Sequence, residues 1–214
     1  MADVDHLVEL DGDPEVMRFL TNGRPTPRER IEREILPRVI GDYEGLRGLG
    51  RMAAIERGSG AFLGWIGVDP AGDREVELGY RLRRSAWGRG YATEGSRALI
   101  DRAFTEFGVR RIFAETMAVN LASRRVMEKS GLRYVRTFHV TWDDPIPGTE
   151  HGEVEYALDR TDWALDVLAE SQGQLGCSQH SRSQLEQAMP GRRPLLLTRR
   201  RVIDFLRCSS CGCR

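Results

Sequence analysis

The chain has 214 residues, 40% of them hydrophobic, and its 32 basic and 32 acidic side chains cancel. That length buries a core in one domain of ordinary size, with a segment left over. The balanced charge gives no overall attraction to nucleic acid or to an anionic membrane. No apolar run approaches the roughly 18 residues of a membrane span. With no signal peptide at its start, the chain is expected to be cytoplasmic.

Residues 2–12, ADVDHLVELDG, place Val4, Leu7 and Val8 on one helical face. DPEVMRFL reads as a short helix, with Pro14 just after Asp13. A third helix is predicted after Thr26, with Pro27 at its first position. Ile31, Ile35 and Leu36 form a narrow apolar stripe on it, and Pro37 is expected to kink or end it.

The period then changes. Two short apolar runs joined by RGSG predict a hairpin, Met52–Glu56 with Phe62–Val68. REVELGYRL alternates, with Val76, Leu78, Tyr80 and Leu82 on one face. After WGRGYATEG, the residues Ala92, Leu99, Ile100, Ala103, Phe104 and Phe107 recur at helical spacing up to Gly108. VRRIFAET is a strand. NLASRRVMEKSG is a helix with Asn120 as N-cap and Gly131 as C-cap. LRYVRTFHVTW and GEVEYAL are two more strands, joined by DDPIPGTEH.

The composition shifts near residue 163. Residues 164–214 carry a net charge of +4 and are rich in Ser, Gln and Arg, so a domain over 1–163 and a basic, disordered tail over 164–214 are expected. LLLTRRRVIDFL is the one stretch there that could form an isolated helix or strand. All four cysteines, Cys177, Cys208, Cys211 and Cys213, also lie beyond 163. The domain therefore has neither disulfide nor thiol nucleophile. CSSCGC supplies three thiols, where a structural zinc site wants four ligands as two spaced pairs, so no metal is expected.

The turn Trp87–Gly95 carries the chemistry. Two glycines flank Arg89 directly ahead of a helix. Such a turn lets main-chain N–H groups approach an anion, and the helix N-terminus favours negative charge. A phosphate is the natural occupant. A nucleotide P-loop is excluded, because Tyr91-Ala92 stands where Lys and Ser or Thr are needed. A dinucleotide fingerprint fits poorly. Thr93 replaces its third glycine, RRSAW separates strand from turn, and the strand alternates instead of being apolar on both faces.

Taken in order, ELGYRL, WGRGYATE and NLASRRVMEKSGLRYV resemble the acetyl-CoA site of the GNAT acyltransferase superfamily, most closely its RimJ/RimL-like branch. With DPEVMRFL and EVEYAL the resemblance covers roughly residues 2 to 163. It implies an α+β fold, a central mixed, mostly antiparallel twisted sheet flanked by helices. The family's first strand is missing before residue 2, which leaves Met52–Glu56 as an exposed edge. A start internal to a longer product, weakened stability and self-association, for example as a homodimer, follow as expectations.

The resemblance also implies an activity, transfer of acetyl from acetyl-CoA to a primary amine by direct attack in a ternary complex. The acceptor would be a protein or peptide N-terminus or a small molecule. A non-catalytic acyl-CoA-binding or partner-binding module, or an inactive truncated product, is the alternative. The coenzyme pyrophosphate would lie on Trp87, Gly88, Arg89, Gly90, Tyr91, Ala92 and Thr93. Its pantetheine arm would pair with Glu77–Leu82 and bond Asn120. The main-chain N–H near Leu82 would hold the oxyanion. Glu77 is the candidate base, with Glu150, His151 and Glu153 as rivals. Ser123 would reprotonate the thiolate or cap its helix, because Met127 stands where many members carry a tyrosine.

Overall fold

The structure is a computed structural model and describes residues 2–45, 48–177 and 203–206. The N-terminal layer is three helices, α1 (Ala2–Asp11), α2 (Pro14–Thr21) and α3 (28–45). Asp13 caps α2 by accepting the Glu15 N–H at 2.9 Å. Pro37 does not break α3. The helix opens into a wide π turn over Ile31–Ile35 and resumes α geometry over Leu36–Gly45. A proline ring collides with the carbonyl four residues earlier, and a π turn placed just there widens the ladder.

The sheet has seven strands in the order β5-β6-β4-β3-β2-β1-β7. They are β1 (Met52–Glu56), β2 (Phe62–Gly72), β3 (Glu75–Leu82), β4 (Arg111–Met117), β5 (Arg133–Phe138), β6 (Glu153–Asp159) and β7 (Ile203–Leu206). All neighbours are antiparallel except β3 and β4. Helix α4 (Tyr91–Glu106) covers one face of the sheet, where Leu99, Ile100, Ala103 and Phe104 join Ile66, Val68, Leu78, Ile112 and Tyr156 in the core. Helix α5 (Leu121–Lys129) leads into β5 through Gly131, whose φ of 97° is the left-handed turn read as the C-cap. At Gly64 (φ +139°) a Cβ would stand 2.1 Å from the Arg81 carbonyl oxygen, so only glycine lets β2 lie this close to β3.

The opposite face of the sheet is polar and meets α1. The nearly buried Asp11 pairs with Arg81 of β3, and Glu9 pairs with Arg83. His6 stacks on Phe62 with ring centroids 4.6 Å apart.

Two expectations about the end of the chain are corrected. Residue 163 is not a boundary, because α6 (Arg160–Cys177) runs through it. The helix is fastened there: Arg133 pairs with Asp162 and Asp166, and Trp163 packs on Phe104 and donates to Asp101. Nor is β1 an open edge. Strand β7 pairs with it antiparallel, Ala53 opposite Leu206 and Glu56 opposite Ile203. An unpaired edge is a template for any nearby strand, and here Ile203–Leu206 supplies one. The tail strand thus takes the edge position that the missing first strand was expected to leave open. The CSSCGC segment lies outside the described residues.

Candidate active site

Strands β3 and β4 part company early. Their parallel pairing covers only Glu75–Glu77 against Arg111–Phe113, although β3 runs on to Leu82 and β4 to Met117. The register with β2 decides what this exposes. The Arg83 N–H bonds the Leu63 carbonyl at 2.8 Å, which makes Leu82 and Gly64 a non-hydrogen-bonded pair. In an antiparallel ladder such pairs alternate, so Leu78, Tyr80 and Leu82 turn their N–H and C=O groups away from β2, into the gap beside β4. The gap therefore has one wall of main-chain donors and acceptors suited to an extended amide ligand.

The glycine turn stands at the head of this gap. Gly88 and Gly90 have φ of 70° and 85°, and Gly90 is the N-cap of α4. A Cβ at either position meets no protein atom within 4 Å, so the glycines keep clear the approach to the helix N-terminus, not another part of the chain. Backbone N–H groups and helix dipole there suit a phosphate. Trp87 donates its indole N–H to the Leu82 carbonyl at 2.8 Å and ties the turn to the end of β3. Arg89 neither points freely to solvent nor keeps its charge wholly for a ligand. It pairs with Glu56 at 2.9 Å and lies over the Tyr91 ring. Tyr91 also bonds Glu56 through its hydroxyl. Ala92 and Thr93 follow in the first turn of α4.

Asn120 caps α5. Its Oδ1 accepts the Ser123 N–H at 3.3 Å, and its Nδ2 donates to Thr116 Oγ1 at 3.0 Å. Sequence reasoning missed the partner of Ser123. The Tyr80 hydroxyl reaches across from β3, donating to the Ser123 carbonyl oxygen at 3.0 Å and lying 2.9 Å from Ser123 Oγ. Burial pushes the Tyr80 phenol up to about 12, so it stays neutral. Met127 is buried in the core, and the phenol nearest Ser123 is that of Tyr80 on β3. The signal was present in the alternation, since a tyrosine on an apolar strand face needs a buried partner for its hydroxyl.

The four candidate bases separate. Glu77 is half-buried on the polar face and in no ion pair. Burial first, then the charges of Glu115 and Asp69, hold its carboxyl above the usual carboxylate range. Glu153 is buried, its Oε1 has no hydrogen-bond partner, and burial together with Glu115 raises it likewise. Glu150 is exposed and lowered by hydrogen bonds from its own N–H and that of Gly148, which makes it a weak base. His151 is exposed beside it. Among the described residues no group of His, Cys, Asp and Glu is placed to hold a metal ion, and no helix is long and apolar enough to cross a membrane.

A splayed β3–β4 pair, a glycine turn on a helix N-terminus and an asparagine-capped helix facing the gap define a coenzyme A-dependent acyltransferase site. The sequence profile of the acetyltransferase (GNAT) domain matches residues 1–133. The FsC-acetyl coenzyme A-N(2)-transacetylase of Aspergillus fumigatus is 37% identical over 166 residues, covering 73% of this chain and 69% of that protein. A GNAT-family acetyltransferase of Bacillus anthracis superposes with a TM-score of 0.61 at 24% identity, over 75% of this chain and 90% of that one. The spermidine N-acetyltransferase of Vibrio cholerae, solved with coenzyme A and spermine, superposes with a TM-score of 0.62 at 14% identity, over 76% and 93%. The chain belongs to the GNAT acetyltransferase family and is an acetyl-CoA-dependent N-acetyltransferase.

Proposed function

We propose that this chain acetylates a small-molecule primary amine, by direct attack of the amine on the acetyl-CoA thioester in a ternary complex. The observation that carries this is the edge of main-chain groups that Leu78, Tyr80 and Leu82 turn away from β2, leading from the glycine turn to the strand that bears Glu77. The turn from Trp87 to Thr93 holds the pyrophosphate. The strand edge pairs with the pantetheine amides, and Asn120 bonds the arm with its remaining capacity.

Glu77 takes the proton of the acceptor ammonium, directly or through water. The free amine forms the new C–N bond as the C–S bond breaks. The Leu82 N–H holds the developing oxyanion, as a fixed donor in a gap of low dielectric should. The amide nitrogen loses its second proton as the thiolate departs, and the Ser123 hydroxyl, or water, relays a proton to that thiolate. No cysteine stands among residues 1–176, which agrees with a mechanism that needs no acyl-enzyme.

Two protein names support a small acceptor over a protein N-terminus: the Aspergillus relative is named for transfer to an N(2) position, and the Vibrio structure for spermidine. Placement in the RimJ/RimL-like branch and in the cytoplasm belong to the same proposal, the first resting on ELGYRL and WGRGYATE. The test is free-thiol release from acetyl-CoA over a panel of small amines, peptides and aminoglycosides, with the amide product weighed by mass spectrometry. Turnover confined to peptides would overturn the choice of acceptor, and no thiol release with any amine would overturn acyl transfer.

A further inference from the structure

The polar face of the sheet carries an unequal share of charge. On β2, β3, β4 and β6 it presents Asp69, Glu75, Glu77, Glu115, Glu153, Glu155 and Asp159, which the register places on one side. Four arginines face them, and each is already engaged. Arg51 pairs with Asp69, and Arg81 with Asp11. Arg111 pairs with Glu75 and Glu155, and Arg136 with Glu155. Among the described residues Glu77, Glu115 and Glu153 are left in no ion pair, as is Asp159 at the far end of β6. Arg51 and Arg136 are close enough to offset the charge of Glu77 and Glu115 in part.

The three glutamates are graded in depth. Glu115 is exposed, Glu77 is half-buried and Glu153 is 9% exposed. The Glu153 Oε1 atom is fully buried and has no hydrogen-bond partner. Glu153 stands on the same face as Glu115, diagonal to it in the ladder, and burial first, then the Glu115 charge, holds its carboxyl above the usual range. A buried carboxylate oxygen left without a donor costs on the order of 1–3 kcal/mol or more, so a fold retains it where a ligand supplies the donor. The three carboxylates are not arranged to chelate a metal ion. A cation that engages them must extend from one to the next, and organic ammonium groups joined by a short chain do so.

We propose that the acceptor carries a second cationic group besides the amine that is acetylated, and that Glu115 and Glu153 hold this second cation. The inference rests on the acyl-transfer reading of the same cleft and names its substrate class. Glu115 at the mouth attracts the cation. Glu153 receives an N–H on its orphaned oxygen, and the other amine is thereby set beside Glu77. A monoamine leaves Glu153 unpaired and forfeits that contact.

The experiment compares 1,4-diaminobutane with 1-aminobutane on the full chain, by thiol release and by calorimetry in the presence of coenzyme A. The diamine should have a kcat/KM about tenfold or more above that of the monoamine, the scale of a partly desolvated charge pair. Its affinity should weaken with added salt. In Glu115→Gln and Glu153→Gln the ratio of the two kcat/KM values should collapse towards one. Equal kcat/KM for both amines, or a preference that survives both substitutions, overturns the proposal and leaves acyl transfer standing. If neither amine is turned over, calorimetry decides: tight diamine binding lost in Glu153→Gln supports the second-cation site, and equal binding of the two amines overturns it.

Discussion

The Tyr80 hydroxyl lies 2.9 Å from Ser123 Oγ and so bridges β3 to α5 across the gap where β3 leaves β4. The phenol stays protonated, its pKa being about 12, and the contact fixes the Ser123 hydroxyl. In the proposed mechanism that hydroxyl, or water, carries the proton to the leaving thiolate.

Tyr80→Phe should lower kcat about fivefold to tenfold, the worth of one hydrogen bond, and leave KM for acetyl-CoA within about twofold. Ser123→Ala should cost at least as much. If the two act as one unit, the double variant is no slower than Ser123→Ala alone. The alkaline limb of the pH profile should not move in Tyr80→Phe, because the phenol is protonated throughout the working range. Additive losses in the double variant would separate the two residues.

As the proposed base, Glu77 should set the acid side of the rate profile. Its carboxyl is raised above 4.5 by burial and by Glu115 and Asp69, so kcat/KM should rise with pH through an apparent pKa above that value. Glu77→Gln should lose about a hundredfold or more in kcat/KM and flatten that limb. Steady-state rates measured from pH 5 upward in wild type and variant check both statements.

Glu153 makes the opposite demand on stability. Its native carboxyl is raised above 4.5, so the ionised form destabilises the folded state relative to the unfolded one. The contribution of this group is fully favourable below the unfolded value and is lost as pH rises through the folded one. Glu153→Gln should therefore melt a few degrees higher than wild type at pH 7.5, with the advantage shrinking towards pH 4. Calorimetric scans of the pair across that range measure the difference directly.

Gly88→Val and Gly90→Val each force a branched side chain into positive φ, a strain of roughly 1–3 kcal/mol. The fold should survive with a melting temperature lower by several degrees, because a Cβ meets no protein atom within 4 Å at either site. Acetyl-CoA binding should disappear from isothermal titrations of both variants. Undiminished affinity would move the phosphates elsewhere.

A chain cut after Cys177 loses β7 and uncovers β1. It should melt several degrees lower and gain a dimer fraction in light scattering, while still binding acetyl-CoA, whose edge on β3 lies two strands in from β1. A cut after residue 165 should be worse, because it also removes Asp166 from Arg133. An unchanged melting temperature after the first cut would make β7 a dispensable edge.

What could be read from the sequence was local. The hairpin at Met52–Glu56, the alternation of β3, the glycine turn and the Asn120 cap each depend on residues close together in the chain, and the fold has them where they were expected. The misses were contacts between distant residues. Tyr80 and Ser123 are 43 positions apart, and nothing in either segment alone pairs them. The composition change near 163 reflects exposure of one side of α6, whose Leu165 and Leu168 are open to solvent, and it concealed the continuing helix. Pro37 misled because its steric effect was relieved one turn earlier, over residues chosen for other reasons. Glu77, Glu115 and Glu153 could not be told from an ordinary charged strand face until the register and the ion pairs around them were known.

The pairing of β1 with β7 gives one residue two duties. Glu56 is matched in the ladder with Ile203, and its carboxylate holds Arg89 and Tyr91 at the glycine turn. The tail strand is thus wired to the glycine turn through a single glutamate. A short peptide copying residues 203–206, offered to the shortened chain, would become a reagent for tuning the turn from outside the cleft.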